Sequence, residues 1–334
     1  MILVTGGTGL VGSHLLYHLL LENDTVKAIH QRTSDLNAVK NVFSYYSANF
    51  ENIYNKIIWV VADLCDIPSL ENAFQDVTTV YHCAALVSLN PVDYHKMRKI
   101  NIDGTTNIAN LCISNDIKKL CFVSSIAAIE KNNSDMPTDE SENWNNSISK
   151  SGYSITKYGA EMEVWRVSQE GVDVVIVNPG VILGSGFWQK GTGKMFSQVY
   201  RGLSFYSEGV NGFVGVKDVV RIMIELMQSS IKNERFILVS QNLSFKNVFF
   251  KIADALNKKR PYFKVTPFLS QVVWRLDTLK SKFTGKAPLM TKETAKTILT
   301  KEYYTSQKIQ SFLNYEFESI DDTIKSTCKD FLKE

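Results

Sequence analysis

The chain has 334 residues, of which 44% are apolar and 21% are charged, and its formal net charge is +3. This composition is typical of a globular protein with a large core, and the length predicts a second lobe. No apolar run approaches the ~20 residues that a membrane-spanning helix needs, and no signal peptide is recognisable. The five cysteines show no C-x-x-C pair and no metal-ligand spacing. We therefore expect reduced thiols, no bound metal and a cytoplasmic location.

The positive charge is concentrated in the later part of the chain. Residues 258–302 contain 11 Lys and Arg but only 3 Asp and Glu. We interpret this segment as a solvated face, and attraction to an anionic substrate or a membrane surface is the alternative. A nucleic-acid partner is not expected, because the segment has no recognisable nucleic-acid-binding motif.

Short apolar segments alternate with helix-length segments through the first 180 residues. The predicted strands are Ile2–Thr5, Val26–His30, Ile57–Val61, Thr79–His82, Lys119–Ser124 and Asp173–Asn178. The predicted helices are Val11–Glu22, Pro68–Gln75, Pro91–Ser114 and Tyr153–Glu170. Several strands are almost wholly apolar, as expected when helices cover both faces of a parallel sheet. The alternation predicts an α/β protein with a Rossmann-type, doubly wound parallel sheet.

The pattern becomes irregular after Pro179. A strand at Phe213–Val216 and a helix at Lys217–Gln228 are predicted to return to the sheet, and Arg235–Ser240 is a further candidate strand. The last ninety residues are predicted to be mostly helical. We therefore expect a Rossmann domain over 1–183, to which 210–240 return. A smaller, mostly helical substrate lobe would comprise 184–209 and 241–334.

A glycine motif connects the first strand to the first helix. Gly6, Gly9 and Gly12 form G-x-x-G-x-x-G, and Leu10 and Val11 lie between its last two glycines. Glycine permits a tight turn and the close approach of a pyrophosphate, which then binds free N–H groups at the positive helix end. These five residues are predicted to bind a dinucleotide.

The residues after the second strand bear on the type of dinucleotide. Many NAD-binding folds have an Asp or Glu at this strand end, where it binds the ribose hydroxyls. In this chain no Asp or Glu stands at the strand end. Arg32 follows instead, and it could bind a 2′-phosphate. We favour NADP, but NAD is possible because Asp35 lies just beyond, and Arg32 could also be a solvated loop residue.

The third and fourth strands end in further candidate cofactor residues. Asp63 could accept a hydrogen bond from the adenine amino group, with Leu64 beside it, although an isolated Asp here could equally cap a helix. Ala84 and Ala85 are small enough to let the backbone lie against the ribose and nicotinamide. His82 is interpreted as a core histidine with no role in proton transfer.

A hydroxyl pair, a tyrosine and a lysine carry the predicted chemistry. Ser124 and Ser125 close the fifth strand, where a hydroxyl could hold a substrate carbonyl or alcohol. Tyr153 and Lys157 are one helical turn apart and share a helix face. The Lys157 ammonium and a nicotinamide cation would lower the phenol pKa from about 10, which makes Tyr153 a candidate acid/base. Such a pair alone is usually unremarkable, but the other motifs favour catalysis.

Together these motifs resemble the extended short-chain dehydrogenase/reductase family, also called the NAD-dependent epimerase/dehydratase family. The resemblance covers nearly the whole chain and favours the branch of dihydroflavonol-4-reductase-like and 3β-hydroxysteroid-dehydrogenase-like proteins. The motifs that carry it are Thr5–Gly12, Asp63, His82–Ala85, Asn101–Thr105, Ser124–Ser125, Tyr153 with Lys157, Asn178–Gly184 and Val214–Val220.

The resemblance implies roles for particular residues. Ser125, Tyr153 and Lys157 would be the catalytic triad. Asn101, Pro179, Val181 and Ile182 would lie along the nicotinamide, and Ser124, Tyr153 and Lys157 would also contact the cofactor. The family commonly forms homodimers through helices corresponding to 91–114 and 153–170, so we expect a homodimer.

These observations are compatible with three functions. The first is an NAD(P)-dependent oxidoreductase that transfers hydride between nicotinamide and a carbonyl or secondary alcohol of a small molecule, with Tyr153 as acid/base. The alternative is an NAD-dependent nucleotide-sugar epimerase or dehydratase. A non-catalytic dinucleotide-binding protein is disfavoured because the serine, tyrosine and lysine are all present.

Two apolar features of the later chain have two interpretations each. The apolar stripe of Pro267–Phe283 predicts a packed lobe helix or, alternatively, an interfacial helix that gathers a lipid-like substrate. Five aromatic residues could be core residues or the wall of an apolar pocket. They are Trp144, Phe187, Trp188, Phe205 and Tyr206.

Overall fold

The computed structural model describes residues 1–132, 136–142, 144–145, 150–271, 274–275 and 291–334. Seven parallel strands form the main sheet in the order β10-β6-β5-β4-β1-β2-β3. Their bounds are β1 Ile2–Thr5, β2 Val26–His30, β3 Ile57–Val61, β4 Thr79–His82, β5 Lys119–Val123, β6 Asp173–Pro179 and β10 Glu234–Leu238. This order confirms the predicted Rossmann-type, doubly wound α/β fold.

Helices cover both faces of the sheet and form most of the C-terminal region. In chain order they are α1 Leu10–Glu22, α2 Leu36–Tyr46, α3 Phe50–Tyr54, α4 Ile67–Phe74, α5 Tyr94–Arg98, α6 Gly104–Ser114, α7 Gly152–Gln169, α8 Gly193–Tyr200, α9 Val216–Gln228, α10 Phe245–Ala255, α11 Lys292–Thr297, α12 Gln307–Leu313 and α13 Ile320–Phe331. Two of these helices, α2 and α3, lie between β2 and β3, where the sequence pattern predicts none. In the described part of the chain no helix is long and apolar enough to cross a membrane.

Alternation along the strands divides the core into two layers. In β5, Leu120 and Phe122 pack on one face of the sheet with α4, α6 and α7. Cys121 and Val123 pack on the other face with α1, α2 and α9. All four side chains are buried, which explains why the strand reads as a continuous apolar run.

A smaller sheet lies beside the carboxyl end of β6. It contains β7 Val181–Leu183, β9 Val210–Gly215 and β11 Gln241–Ser244, with β9 in the centre. The predicted return of Phe213–Val216 to the main sheet is therefore wrong for the strand, and β10 is the strand that returns. The helix α9 does return, since it packs against α1. The chain leaves the main sheet at Gly180, where a Cβ would lie 2.3 Å from the Gly212 carbonyl oxygen and would keep β9 away.

The segment predicted as one helix from Pro91 to Ser114 is interrupted. A 3-10 turn at Pro91–Asp93 precedes α5, and a π-helical turn at Lys99–Asp103 separates α5 from α6. Gly104 follows this turn, and a Cβ there would lie 2.8 Å from Leu64 Cβ. The π turn thus lets the chain approach the end of β3 closely, and such turns often mark functional sites.

The C-terminal region has its own core. Buried residues of α8, β9, α10 and α13 form a third cluster around Phe196, Phe213, Ile252 and Ile324. A short two-stranded sheet, β8 Phe205–Tyr206 with β12 Phe263–Lys264, lies at its edge. Most of the predicted apolar helix Pro267–Phe283 falls outside the described residues, and 267–271 are helical.

We expect Phe213→Ala to lower the free energy of unfolding by about 3–5 kcal/mol, because it leaves a cavity where β9 meets the third cluster. Phe205→Ala, at an exposed side chain, should cost less than about 1 kcal/mol. Urea denaturation of both variants measures the difference. Equal losses would contradict the assignment of Phe213 to this core.

Candidate active site

The glycine turn after β1 forms an open cradle at the start of α1. Gly6 has a φ of 69°, and a Cβ on it would lie 2.6 Å from the Ala84 backbone nitrogen. A Cβ on Gly12 would lie 2.2 Å from the Gly6 carbonyl oxygen. Gly9 precedes α1 without a side-chain cap, and the first turn contains no acidic residue. The first N–H groups of the helix are thus available to an anion, which fits the pyrophosphate of a dinucleotide.

The ends of β2 and β3 are joined by side-chain hydrogen bonds. Asp63 accepts from the Gln31 side-chain amide (2.6 Å) and from the Cys65 backbone N–H (2.8 Å). Asp63 therefore shapes this edge and does not cap α4, which begins after Asp66. Leu64 is buried beside it.

Arg32 and Asp35 have different environments after β2. Asp35 caps α2, and its carboxylate accepts from the backbone N–H groups of Asn37 (3.0 Å) and Ala38 (3.3 Å). The Arg32 side chain is exposed, and no hydrogen bond or ion pair occupies it in the described chain. Asp35, the carboxylate considered as a ligand of the ribose hydroxyls, is thus already hydrogen-bonded to its own helix.

A buried histidine lies under the end of β4. The two ring nitrogens of His82 lie 2.6 Å from Thr5 Oγ1 and 2.9 Å from Thr105 Oγ1. Burial lowers the pKa of His82 to about 3. The ring is therefore a neutral, satisfied core group, in agreement with its interpretation from the sequence. Beyond it, Ala84 is half-buried and Ala85 is exposed.

Asn101 lies in the π turn and is almost fully buried. Its side-chain oxygen accepts from the Leu86 N–H (2.7 Å), and its amide donates to the Leu86 carbonyl (3.0 Å). The same amide donates to Thr156 Oγ1 at 3.2 Å. Asn101 thus fastens the loop after β4 to α7, next to Lys157.

Ser125, Tyr153 and Lys157 converge where β5 ends and α7 begins. Ser151 caps α7 by accepting from the Ser154 N–H (3.1 Å), which sets the start of the helix. Tyr153 lies in the first turn, and the Ser125 side chain is close enough to its phenol to lower the phenol pKa. The predicted serine, tyrosine and lysine are therefore brought together in one place.

Burial dominates the electrostatics of the two titratable groups. It raises the pKa of the Tyr153 phenol, and the Ser125 hydrogen bond opposes this effect. The sequence predicts a phenol pKa lowered by the Lys157 charge and a nicotinamide cation, and burial of the phenol acts in the opposite direction. The Lys157 ammonium donates to the Val123 carbonyl at 2.8 Å, and burial lowers its pKa to about 8, against the opposing effects of Glu161 and Cys83.

Ser124 and the end of β6 belong to a buried polar cluster. Ser124 Oγ donates to Glu161 Oε2 at 2.6 Å, and Asn178 donates to the same oxygen at 2.9 Å. Arg235 of β10 pairs with the other Glu161 oxygen at 3.2 Å. Sequence reasoning missed Glu161, although its position four residues after Lys157 on the same helix was a usable signal. Among the candidate nicotinamide contacts beyond Asn178, Pro179 is buried, and Val181 and Ile182 of β7 are half-buried.

The described residues of the loop between β5 and α7 are bonded to one another and to α7. Glu130 is buried and accepts from the Lys150 ammonium and from the Asn145 backbone N–H. The Trp144 ring stacks on Tyr158 of α7, with 4.2 Å between ring centroids. The loop is thus attached to the helix that carries Tyr153.

The five aromatic residues considered as a pocket wall do not form one cluster. Trp188 is buried in the third core cluster, and Phe205 is half-exposed beside Phe263. Trp144 lies against α7 instead. A single aromatic wall is therefore absent among these described residues.

Comparison with known proteins agrees with this geometry. Residues 2–238 match the sequence model of the NAD dependent epimerase/dehydratase family. The chain is 28% identical over 287 residues to sterol demethylase protein B of Methylococcus capsulatus, covering 84% of this chain and 82% of that protein. It is 26% identical over 283 residues to cinnamoyl-CoA reductase 1 of Petunia hybrida, covering 81% of each.

A solved structure shows the same fold. UDP-glucose 4-epimerase from Bifidobacterium longum, in complex with NAD+ and UDP, superposes with a TM-score of 0.79 over 100% of this chain and 98% of the epimerase. The sequence identity is 17%, so the likeness concerns the fold. The family match, the glycine cradle and the reductase-named relative together identify the chain as a nicotinamide-dependent enzyme. It belongs to the NAD-dependent epimerase/dehydratase family, within the extended short-chain dehydrogenases/reductases.

Proposed function

We propose that this protein is an NADP-dependent reductase that converts a carbonyl of an apolar or mixed small molecule into a secondary alcohol. The observation that carries the proposal is the convergence of Ser125, Tyr153 and Lys157 at the carboxyl end of β5. The names of the sterol demethylase protein and the cinnamoyl-CoA reductase support an apolar or aromatic substrate class.

The cofactor residues follow the carboxyl edge of the sheet. When bound, the nicotinamide supplies or accepts the hydride. We assign the pyrophosphate to Gly6, Gly9, Leu10, Val11 and Gly12, and the adenine to Asp63 and Leu64. The nicotinamide side is assigned to Ala84, Ala85, Asn101, Ser124, Tyr153, Lys157, Pro179, Val181 and Ile182.

Tyr153 would donate a proton to the carbonyl oxygen as that oxygen gains negative charge. The Ser125 hydroxyl, which lies beside the Tyr153 phenol, would hold the same substrate oxygen. The Lys157 ammonium would stabilise the phenolate that remains after proton donation. Because burial raises the phenol pKa, Tyr153 is protonated at neutral pH, as a proton donor must be. Lys157, with a pKa of about 8, is then mostly charged.

The preference for NADP is supported by the residues after β2. Asp35 is engaged in capping α2, whereas the Arg32 guanidinium is exposed. A guanidinium binds phosphate through two parallel hydrogen bonds, so Arg32 suits a ribose 2′-phosphate. The same position offers no carboxylate to the two ribose hydroxyls of NAD.

We expect Tyr153→Phe to lower kcat/KM at least about 100-fold, which is typical of losing a general acid. NADPH affinity should change little, since the ring remains. Loss of NADPH absorbance with a panel of aromatic and alicyclic ketones and aldehydes measures the rate, and nicotinamide fluorescence measures binding. Tyr158→Phe, on the same helix but stacked on Trp144, is the matched control and should keep wild-type activity. Full activity of Tyr153→Phe would overturn the proposal, as would tightly held NAD with interconversion of UDP-sugars.

We expect Arg32→Ala to raise the Kd for NADPH about tenfold, because a charge-assisted pair with the 2′-phosphate is lost. The Kd for NADH should stay unchanged. Fluorescence titration of both cofactors gives the ratio, and Lys40→Ala, at an exposed cation of α2, is the control. Equal affinities of the wild-type protein for NADPH and NADH would reject the preference.

A further inference from the structure

The proposed mechanism leaves one buried carboxylate of α7 without a role. Glu161 follows Lys157 by four residues and Tyr153 by eight, so the three side chains lie along one face of the helix. The Glu161 side chain is 0% exposed. A buried carboxylate is costly unless hydrogen bonds and a counter-charge compensate it, so its partners indicate its purpose.

One oxygen of Glu161 holds the ends of two adjacent strands. Glu161 Oε2 accepts from Ser124 Oγ at 2.6 Å and from the Asn178 amide at 2.9 Å. The same Asn178 amide donates to the Ser125 carbonyl at 3.0 Å. The carboxylate therefore helps to set the backbone that carries the Ser125 hydroxyl toward Tyr153.

The other oxygen faces a cation on the outermost strand. Arg235 Nη1 lies 3.2 Å from Glu161 Oε1. The Arg235 guanidinium also donates to the Glu140 and Glu142 carbonyls, at 2.5 Å and 3.2 Å. Because these further partners are neutral, the Glu161 carboxylate is the only charged group paired with Arg235 among the described residues.

Lys157 is buried beside the end of β5. Its ammonium is 2.8 Å from the Val123 carbonyl oxygen and 4.5 Å from the centre of the Phe122 ring. The titratable groups that interact with it are Glu161 on its own helix and His82 and Cys83 at the end of β4. His82 is neutral and burial raises the pKa of the Cys83 thiol to about 12, so Glu161 is the negative charge in this set at neutral pH.

We propose that Glu161 is a positioning residue of the active site. Its carboxylate fixes Ser124 and Asn178 beside Ser125, and its negative charge keeps the Lys157 side chain an ammonium beside Tyr153. The consequence for Tyr153 rests on the proposed function, whereas the charge state of Lys157 can be measured without any substrate.

Three variants separate this role from a purely structural one. Glu161→Gln keeps an oxygen that can accept from Ser124 and Asn178, but it removes the charge and leaves Arg235 unpaired. The double variant Glu161→Gln/Arg235→Met removes both charges and therefore leaves no unpaired arginine. It can be measured if the single variant does not fold. Glu163→Gln is the matched control, because Glu163 lies two residues further on α7 and pairs with Arg166 near the surface.

The deciding measurement is a ¹³C NMR pH titration of the full chain labelled at lysine Cε, with Lys157 assigned from Lys157→Met. The wild-type Lys157 signal should titrate near pH 8, apart from exposed lysines. Loss of the Glu161 charge should increase the Lys157 acid dissociation constant about tenfold in the single variant and in the same direction in the double variant. Glu163→Gln should leave it unchanged. An unchanged Lys157 midpoint in the charge-removing variants would overturn the proposal.

A kinetic measurement extends the test to catalysis. With any carbonyl substrate that the wild-type protein reduces, the alkaline limb of the kcat/KM pH profile should move to lower pH in Glu161→Gln and in the double variant. The Glu163→Gln profile should match the wild type. If no substrate is reduced, the proposed function fails, but the lysine titration still decides whether Glu161 sets the Lys157 charge.

Discussion

The parallel pairing of β1 with β4 is the constraint on which the site depends. The strand order reverses at this pair, and Thr5 lies opposite His82 at its carboxyl end. Thr5 Oγ1, the His82 ring and Thr105 Oγ1 form a buried line of hydrogen bonds, and Thr105 donates onward to the Asn101 carbonyl at 2.6 Å. Asn101 then fastens the loop after β4 to α7. The glycine cradle and the catalytic helix are thus joined through buried polar groups, which tolerate little displacement because a broken bond leaves an unsatisfied donor or acceptor.

The site places two opposite charges where water does not reach. Lys157 and Glu161 are both almost fully buried, and each would be expensive alone. The hydrogen bonds from Ser124 and Asn178, the pair with Arg235 and the Val123 carbonyl offset that cost. Among the described residues no ion pair joins Lys157 to Glu161, so the separate hydrogen bonds of each group, and the Arg235 pair of Glu161, stabilise the two charges. Under the proposed function, the Lys157 charge would stabilise a transient Tyr153 phenolate.

Sequence reasoning succeeded where the determinants are local. The apolar strands β1 to β4 have the predicted bounds. Burial leaves a direct imprint on the composition of β1, β2 and β4, whereas β3, at the edge of the sheet, is apolar although only partly buried. The glycine turn and the Tyr153–Lys157 spacing likewise depend on neighbouring residues. Asp35 shows what local sequence does not distinguish. An aspartate at this place can cap a helix or bind ribose, and only its hydrogen bonds tell the two roles apart. The sequence prediction of β9 in the main sheet is wrong. This strand pairs with β7 and β11, and the close contact of Gly180 with Gly212 that permits the pairing joins residues distant in sequence.

The contacts of the loop after β5 depend on distant segments of the chain, which local sequence patterns do not reveal. The loop after β5 is bonded to the C-terminal segment, where the Thr138 N–H donates to the Tyr303 carbonyl at 2.8 Å and Lys131 pairs with Glu302. Arg235 holds the same loop through the Glu140 and Glu142 carbonyls. Substitutions near residues 301–305 can therefore change how this loop is held without altering Ser125, Tyr153 or Lys157. A family built this way can change substrates while its proton-transfer residues stay in place.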